Sequence, residues 1–376
     1  MDTKKCNKTT RVKEYILDLI EQQQLPANGR LPTEKELCEL FQISRVPVHT
    51  ALSELQEENI VTRIKGSGTY VKPAAKEEKG GNLVPFVLSE SKSSYRFLES
   101  VRGAESALKG KNHYLTIHYC QENFPAEREM LRSLADDGFR SIILSPHTRS
   151  GESNTYYYEL ARRGIELTFI DLVPNGVTGN LVSCDHVLGG YQAAHHLIQN
   201  GYRRIAVLYD DLSIPSIYQR LQGYIFAMQE AGLAVPREYL CPFINCNYPL
   251  HRVQQHFHGG FTDVIKEIIR HLLALPEPPN ALFCSNDIAA ITAYHAMKEM
   301  GLSCPETFAL IGFDNIPETK FRGLSTVEQP FYDIGYHAAS LCVEQKLAPF
   351  SGKKHIALPP RVIPRASTAP KEPARP

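Results

Sequence analysis

From residue 84 to near residue 313, short apolar runs alternate with longer amphipathic ones. The strand-like runs are Val84–Leu88, Tyr114–Tyr119, Ser141–Leu144, Glu166–Ile170, Arg204–Leu208, Ala281–Cys284 and Phe308–Ile311. Between them fall helical runs at Phe97–Leu108, Ala126–Ala135, Val187–Asn200, Tyr218–Ala231, Phe261–Leu273 and Ile288–Met300. Strand–helix alternation of this kind gives parallel sheets covered by helices on both faces. A segment of nearly 290 residues is better divided into two such sheets than built on one. Open parallel sheets take ligands at the carboxyl ends of their strands, so two facing lobes predict a ligand cleft between them.

The first 72 residues have another rhythm. Val12, Tyr15, Ile16, Leu19 and Ile20 share one helical face. Pro26 and Gly29 end that helix, and Thr33 with Glu36 makes a capping box for a second, shorter one. After the turn Gln42-Ile43-Ser44, a third helix capped by Ser44 turns Val48, Ala51, Leu52 and Leu55 inward, with Pro47 in its first turn. Ile60–Ile64 and Thr69–Val71 then read as a hairpin around Lys65-Gly66-Ser67-Gly68. Two short helices, a tight turn and a basic hairpin predict a winged helix-turn-helix, whose second helix of the pair fits the major groove. Arg45, Val46, His49, Thr50 and Ser53 are its outward positions.

Charge decides whether nucleic acid is a plausible partner. The whole chain has 41 basic and 41 acidic residues. Residues 1–72 hold 11 basic against 10 acidic, but five of the basics lie within residues 1–13, and no acid lies between Ile60 and Lys72. Phosphate neutralisation needs local positive charge rather than a basic total. The glycines Gly66 and Gly68 allow the backbone to approach a phosphate. Pro73–Leu83, polar and glycine-containing, reads as a linker over 73–83, and residues 369–376 read as a disordered tail.

Residues 9–72 resemble the GntR-type winged-helix DNA-binding domain. The resemblance is carried by Gly29–Leu37, Ile43-Ser44-Arg45, Leu52-Ser53-Glu54-Leu55 and Gly66–Val71. It implies that Lys35, Arg45, His49 and Gly66 meet DNA, and we include Ser44, Val46, Lys65, Ser67 and Gly68 around them. The family's usual Thr-Thr after the arginine is replaced by Val46-Pro47, and its later arginine by His49.

At the ends of the later strands stand Asp210-Asp211, Asn286-Asp287, Asp314-Asn315 and Glu328-Gln329. Carboxylates and amides of this kind engage two neighbouring hydroxyls at once, which suits a polyhydroxylated ligand, and Tyr95, Phe97, Tyr218 or Phe313 offer faces to a sugar ring. Residues 84–368 resemble the LacI/GalR-type effector-binding domain, itself related to periplasmic sugar-binding proteins. The matching stretches are Val101-Arg102-Gly103, Asp185–Gly190, His196–Ala206, Arg220–Tyr224, Ser285-Asn286-Asp287, Ile311–Asp314 and Pro364–Thr368. The resemblance implies effector contacts from Arg220, Asn286, Asp314 and Gln329, from Tyr95 and Arg96 after the first strand, and from Asp185, which alternatively only caps the next helix.

Other chemistries find little support. There is no phosphate-binding glycine loop, no nucleophile elbow and no metalloprotease helix. Cys241, Cys246, His251, His256 and His258 are residue types that zinc uses, but their spacing matches no compact zinc module, and Pro242, Pro249 and Gly259-Gly260 read as a surface loop. The nine cysteines show no paired spacing, no apolar run reaches the roughly 20 residues of a membrane span, and no signal peptide precedes the first helix. The expectation is therefore an α/β chain with an N-terminal winged helix over 1–72 and a two-lobed, periplasmic-binding-protein-like sensor with two parallel sheets. It is a cytoplasmic, homodimeric regulator, not an enzyme, needing no cofactor and no metal. It resembles the arabinose repressor group, which implies operator DNA and a sugar effector such as L-arabinose or another pentose. A sugar-binding protein and an α/β enzyme using the same cleft are the alternatives.

Overall fold

The computed structural model describes residues 8–21, 25, 29–58, 60–64, 67–72, 81–89, 95–120, 124–147, 154–174, 176–243, 261–347 and 353–370. They fall into two units, Met1–Gly81 and Asn82–Pro376.

In the first unit, α1 (Lys8–Glu21), α2 (Glu34–Phe41) and α3 (Arg45–Glu57) precede the hairpin β1 (Val61–Ile64) and β2 (Gly68–Val71). Val12 and Ile16 of α1 meet Leu37 of α2, Val48, Ala51, Leu52 and Leu55 of α3, and Val61 and Val71 of the hairpin in one buried core. The capping box forms as the sequence predicts: Glu36 N–H donates to the Thr33 hydroxyl at 3.3 Å, and Thr33 N–H donates to the Glu36 carboxylate at 2.7 Å. The turn is made by Gln42, whose left-handed backbone (φ 51°) ends α2. Ser44 takes the N-cap position of α3, but its side chain makes no cap bond, contrary to expectation. A short stretch before α2 also joins the hairpin, with Leu31 N–H donating to Thr69 O and Val71 N–H to Gly29 O.

The second unit holds two six-stranded sheets. The elements of its first part are β3 (Leu83–Leu88), α4 (Tyr95–Leu108), β4 (Tyr114–Tyr119), α5 (Phe124–Asp136), β5 (Ser141–Ser145), α6 (Thr155–Arg162), β6 (Glu166–Ile170) and β7 (Asn180–Cys184). Then come α7 (His186–Gln199), β8 (Ile205–Tyr209), α8 (Pro215–Glu230), β9 (Leu240–Pro242), α9 (Phe261–Leu273), β10 (Ala281–Cys284), α10 (Asp287–Glu299), β11 (Ala309–Asp314), α11 (Pro317–Phe321) and β12 (Ser325–Glu328). The last are α12 (Phe331–Leu347), β13 (His355–Leu358) and β14 (Arg361–Ile363).

Lobe 1 has the strand order β13-β7-β6-β5-β3-β4, all parallel. Lobe 2 has the order β14-β12-β11-β10-β8-β9 and is parallel except at its edge, where β14 runs antiparallel to β12. Among the described residues the chain passes between lobes three times: at Asp185, at Gln329-Pro330 and at Pro359-Pro360.

The inner strands of both sheets bury both of their faces. In β10, Ala281 and Phe283 face the core shared with α7 and α8, while Leu282 and Cys284 face the opposite core with α9 and α10. In lobe 1, Phe86 and Ile143 face α4 and α12, while Val87, Ile142 and Leu144 face α5 and α6. That two-residue period with no polar side is why these runs read as continuously apolar.

One helix pair in each lobe crosses at backbone distance. A Cβ on Gly190 of α7 would lie 1.9 Å from Arg220 O of α8, and one on Gly223 of α8 would lie 1.9 Å from Val187 O of α7. In lobe 1, a Cβ on Gly103 of α4 would lie 1.8 Å from Tyr332 O of α12, and one on Gly335 of α12 would lie 1.9 Å from Ser100 O of α4. Each crossing therefore requires a glycine on both helices.

Candidate functional site: an operator-reading surface and an effector cleft

Arg45 stands in the first turn of α3 with its side chain exposed, yet it is not unpaired. Its Nε–H donates to Glu34 Oε2 at 2.7 Å. The other carboxylate oxygen of Glu34 accepts from Arg63 Nη2 of β1 at 3.1 Å. Arg63 Nη1 lies 3.2 Å from His49 Nε2, and because a guanidinium only donates, that ring nitrogen accepts. The hydrogen bond from Arg45 holds the Glu34 carboxyl below the usual carboxylate range. Glu34 thus fixes two arginines from two elements on one surface, and the sequence reading missed it. Its partners lie 11 and 29 residues away, a separation no local pattern reports.

The remaining reader residues are placed as follows. Lys35 is exposed, near Glu39. Val46 is 73% exposed, unusual for a valine on a helix whose other face is core. The Ser67 hydroxyl pairs with the Tyr70 hydroxyl at 2.7 Å. Gly68 has φ 138°, and a Cβ there would press on Arg30 Nε at 2.9 Å. Lys65 and Gly66 lie outside the described residues.

In the second unit, strand ends and helix starts assemble a buried polar site. Arg220 of α8 is 3% exposed. Its Nη1–H donates to Ser285 O at 2.5 Å, its Nε–H donates to His186 Nδ1 at 3.3 Å, and its guanidinium carbon lies 3.9 Å from the centre of the Phe313 ring. Asp314, at the end of β11, is 3.8 Å from Arg220 and accepts from Gln329 Nε2 at 2.5 Å. Asp314 and Asn315 both have positive φ, 120° and 56°, a costly backbone that commonly marks functional sites. Two polar atoms beside this network, Gln329 Oε1 and Ser285 Oγ, are buried without a hydrogen-bond partner among the described residues. Orphaned acceptors and hydroxyls of this kind cost free energy unless something arrives to satisfy them.

Deeper in lobe 2, Asp287 accepts from Thr326 Oγ1 at 2.6 Å and from Ile316 N–H at 2.9 Å. Burial, and then the neighbouring Asp314 charge, push its carboxyl up to about 7.

The structure thus brings Arg220, Asp314 and Gln329 together. Asn286 and Asp185 stand nearby in sequence order but serve as N-caps, accepting from Ala289 N–H at 2.8 Å and Leu188 N–H at 2.9 Å respectively. A cap uses the side-chain oxygen and leaves the Asn286 amide N–H groups outside that bond. The side chains of Tyr95 and Arg96 lie outside the described residues, as do Cys246, His251, His256 and His258. Cys241 is buried, its thiol directed at Glu238 O. Two further residues were missed: Asp171, directly after β6, and His186, the first residue of α7, joined at 2.9 Å. Asp171 follows the run Glu166–Ile170 as Asp314 follows its own strand, so the strand-end rule reaches it.

A winged helix that presents paired arginines, in one chain with a two-lobed sensor that buries an arginine–aspartate site, defines the class of ligand-responsive transcriptional regulators. Comparison with known proteins agrees. Residues 8–71 match the model for bacterial regulatory proteins of the gntR family, and residues 194–368 match the periplasmic binding protein-like domain. The arabinose metabolism transcriptional repressor of Geobacillus stearothermophilus is 30% identical over 353 residues, covering 92% of each chain. The transcriptional repressor CytR of Escherichia coli K12 is 32% identical over half of each chain, 50% of this one and 51% of its own. A LacI family regulator from Enterococcus faecium, solved with ribose, shares the fold with a TM-score of 0.62 at 24% identity, covering 77% of this chain and all of that one. The chain belongs to the family of transcriptional repressors that join a GntR-type DNA-binding domain to a LacI-type, periplasmic-binding-protein-like domain. That family is regulatory rather than catalytic. Among the described residues no helix is long and apolar enough to cross a membrane.

Proposed function

We propose that the protein is a cytoplasmic repressor that leaves its operator when a pentose, with L-arabinose the first choice, enters the cleft beside Arg220, Asp314 and Gln329. The observation that carries this reading is the pair of buried orphan atoms, Gln329 Oε1 and Ser285 Oγ, on the rim that holds the arginine and the aspartate. A sugar hydroxyl both donates and accepts, so vicinal hydroxyls match an acceptor, a hydroxyl and a carboxylate set side by side. Phe313, fully buried, carries the Arg220 guanidinium on its ring face and so supports the arginine from beneath. The arabinose repressor that resembles this chain over nearly its whole length directs the choice of sugar.

On the operator side, Arg45, His49 and Arg63, with Lys35, Ser44, Val46, Lys65, Gly66, Ser67 and Gly68 around them, form the reading surface. The protein acts as a homodimer spanning two half-sites. The exposed Tyr114 and Ile117 on the edge strand β4 are the apolar groups that pairing would cover.

A melting screen against a sugar panel tests the reading, since a ligand that binds only the folded state raises the melting temperature. L-arabinose is expected to give a stabilising shift and to release a fluorescent operator duplex. Arg220→Ala and Asp314→Ala should abolish the shift while leaving operator binding intact, and Arg45→Ala should do the reverse. Full sugar affinity in both cleft variants would remove the cleft assignment, and unchanged operator binding in Arg45→Ala would remove the assigned recognition helix.

A further inference from the structure

Arg220 does not reach the cleft unaided. His186, at the first position of α7, is 2% exposed and stands between Arg220 and Asp171. Its two ring nitrogens are used differently. Nδ1 lies 3.3 Å from Arg220 Nε, and Nε2 lies 2.9 Å from Asp171 Oδ1. The Arg220 Nε–H can only donate, so Nδ1 is a bare acceptor. The ring is therefore neutral, and its one proton sits on Nε2, where it donates to Asp171. The two partners come from different lobes. Asp171 follows β6 of lobe 1 and has a left-handed backbone, φ 71°. Arg220 belongs to α8, which packs through Gly223 onto α7 in lobe 2.

The remaining groups around the ring agree with a neutral state. Asp314 faces it from the end of β11, and the Phe313 ring lies 6.1 Å away. Burial pulls the imidazole below its ordinary range; the hydrogen bond to Asp171 pulls it up, and the Arg220 charge pulls it down again.

We propose that His186 is a positioning residue of the effector site, a neutral bridge that orients the Arg220 guanidinium and fastens it to lobe 1 through Asp171. The assignment rests on the reading that Arg220 meets the effector. It makes the arginine's aim depend on the relation between the lobes: a movement of Asp171 shifts the ring, and the ring shifts the guanidinium. It also gives the site a pH dependence of definite sign. Protonating His186 places a hydrogen on Nδ1 against the Arg220 N–H and breaks that bond, so effector affinity falls on acidification.

Two substitutions separate the two bonds. The amide of asparagine overlies Nδ1, so His186→Asn can still accept from Arg220 but cannot reach Asp171. The amide nitrogen of glutamine overlies Nε2, so His186→Gln keeps the donor to Asp171 and loses the acceptor. Calorimetric titration of the full chain with the panel sugar giving the largest melting shift should show His186→Gln about tenfold weaker than wild type, the loss expected for one hydrogen bond to a charged group. His186→Asn should bind more tightly than His186→Gln. Wild type should weaken as pH falls below the ordinary imidazole range, and His186→Asn should lose that acid-side fall. Ring nitrogen NMR of the unliganded wild type should show a protonated Nε2 and a bare Nδ1, a readout that needs neither a sugar nor a variant. A protonated Nδ1 near neutral pH, wild-type affinity in His186→Gln, or the same pH profile in His186→Asn as in wild type would each overturn the proposal. Full affinity in Arg220→Ala would instead remove the reading beneath it, with the NMR result unaffected.

Discussion

Each lobe of the sensor has one carboxylate with no exposed surface at the carboxyl end of its sheet, and the two are treated differently. In lobe 1, Glu127 of α5 is fully buried and accepts from four donors: the Ser89 hydroxyl, the His147 N–H, and the hydroxyls of Tyr156 and Tyr157. Those donors come from the segments after β3 and β5 and from α6, so one carboxylate gathers the loops on that rim. In lobe 2, Asp287 is equally buried, but it has two such donors and a second acid, Asp314, beside it. Burial of a carboxylate is tolerable when its lone pairs are saturated. Glu127 meets that condition and serves as a fixed knot. Asp287 does not, so its proton is retained to a much higher pH, and the charge of Asp314 is left for the cleft.

The strongest test of the likeness between lobes lies in their helix crossings. Gly103→Ala and Gly190→Ala each place a methyl group within 2 Å of a carbonyl oxygen, and the helices must separate. Each substitution is expected to cost about 3 kcal/mol, the upper end for overpacking, read by chemical denaturation. A large loss in one lobe only would end the equivalence of the two crossings.

The unlikeness of the acids comes next in size. In Glu127→Gln, the amide oxygen can keep the Ser89 hydroxyl and the His147 N–H, but its NH2 group then takes the place of the oxygen that accepted from Tyr156 and Tyr157, so both hydroxyls lose their acceptor and the variant should lose about 2 kcal/mol. Asp287→Asn should lose about 1 kcal/mol or less, because the Thr326 hydroxyl can turn and accept from the new amide while the Ile316 N–H still finds the oxygen. Equal losses would mean that donor number does not distinguish the two sites.

The unlikeness of the acids also sets the slope of stability with pH. Asp287 titrates at about 7 in the folded protein, against 3.8 for an ordinary aspartate. The folded chain therefore holds the extra proton between those values. Its contribution is complete below the unfolded value and is lost as pH rises through about 7. Melting across that range should show the decline in wild type and in Glu127→Gln, and a shallower one in Asp287→Asn.

What was legible in the chain follows from how each segment is buried. Ala281–Cys284 and Ser141–Ser145 have no exposed face, and their apolar runs announced them. Asn180–Cys184 is also a strand, but it buries Asn180 and Ser183, so its run carries no such signal. β13 and β14 are edge strands of four and three residues around a proline pair, too short for any periodicity. The antiparallel set of β14 likewise has no local signature. Leu83, at the end of the expected linker, begins β3. Among site residues, Arg220 and Asp314 were found through the resemblance, and the structure brings them within 3.8 Å. Asp171, His186, Glu34 and Glu127 depend on partners 11 to 38 residues away, and pairings of that range are settled by topology.

The final crossing between lobes has a consequence for synthesis of the chain. β13 closes one sheet and β14, three residues later, closes the other, so the segment from His355 to Ile363 edges both lobes at once. α12, which covers the inner face of lobe 1, also comes after every strand of lobe 2 except β14. Neither lobe can mature on the ribosome while the other waits, whereas the contiguous reader is complete once about its first 72 residues have emerged. A nascent chain stalled late in translation would therefore carry a finished DNA-reading unit and an unfinished sensor. Stop codons placed just before His355 should accordingly injure both lobes together, and the winged helix last.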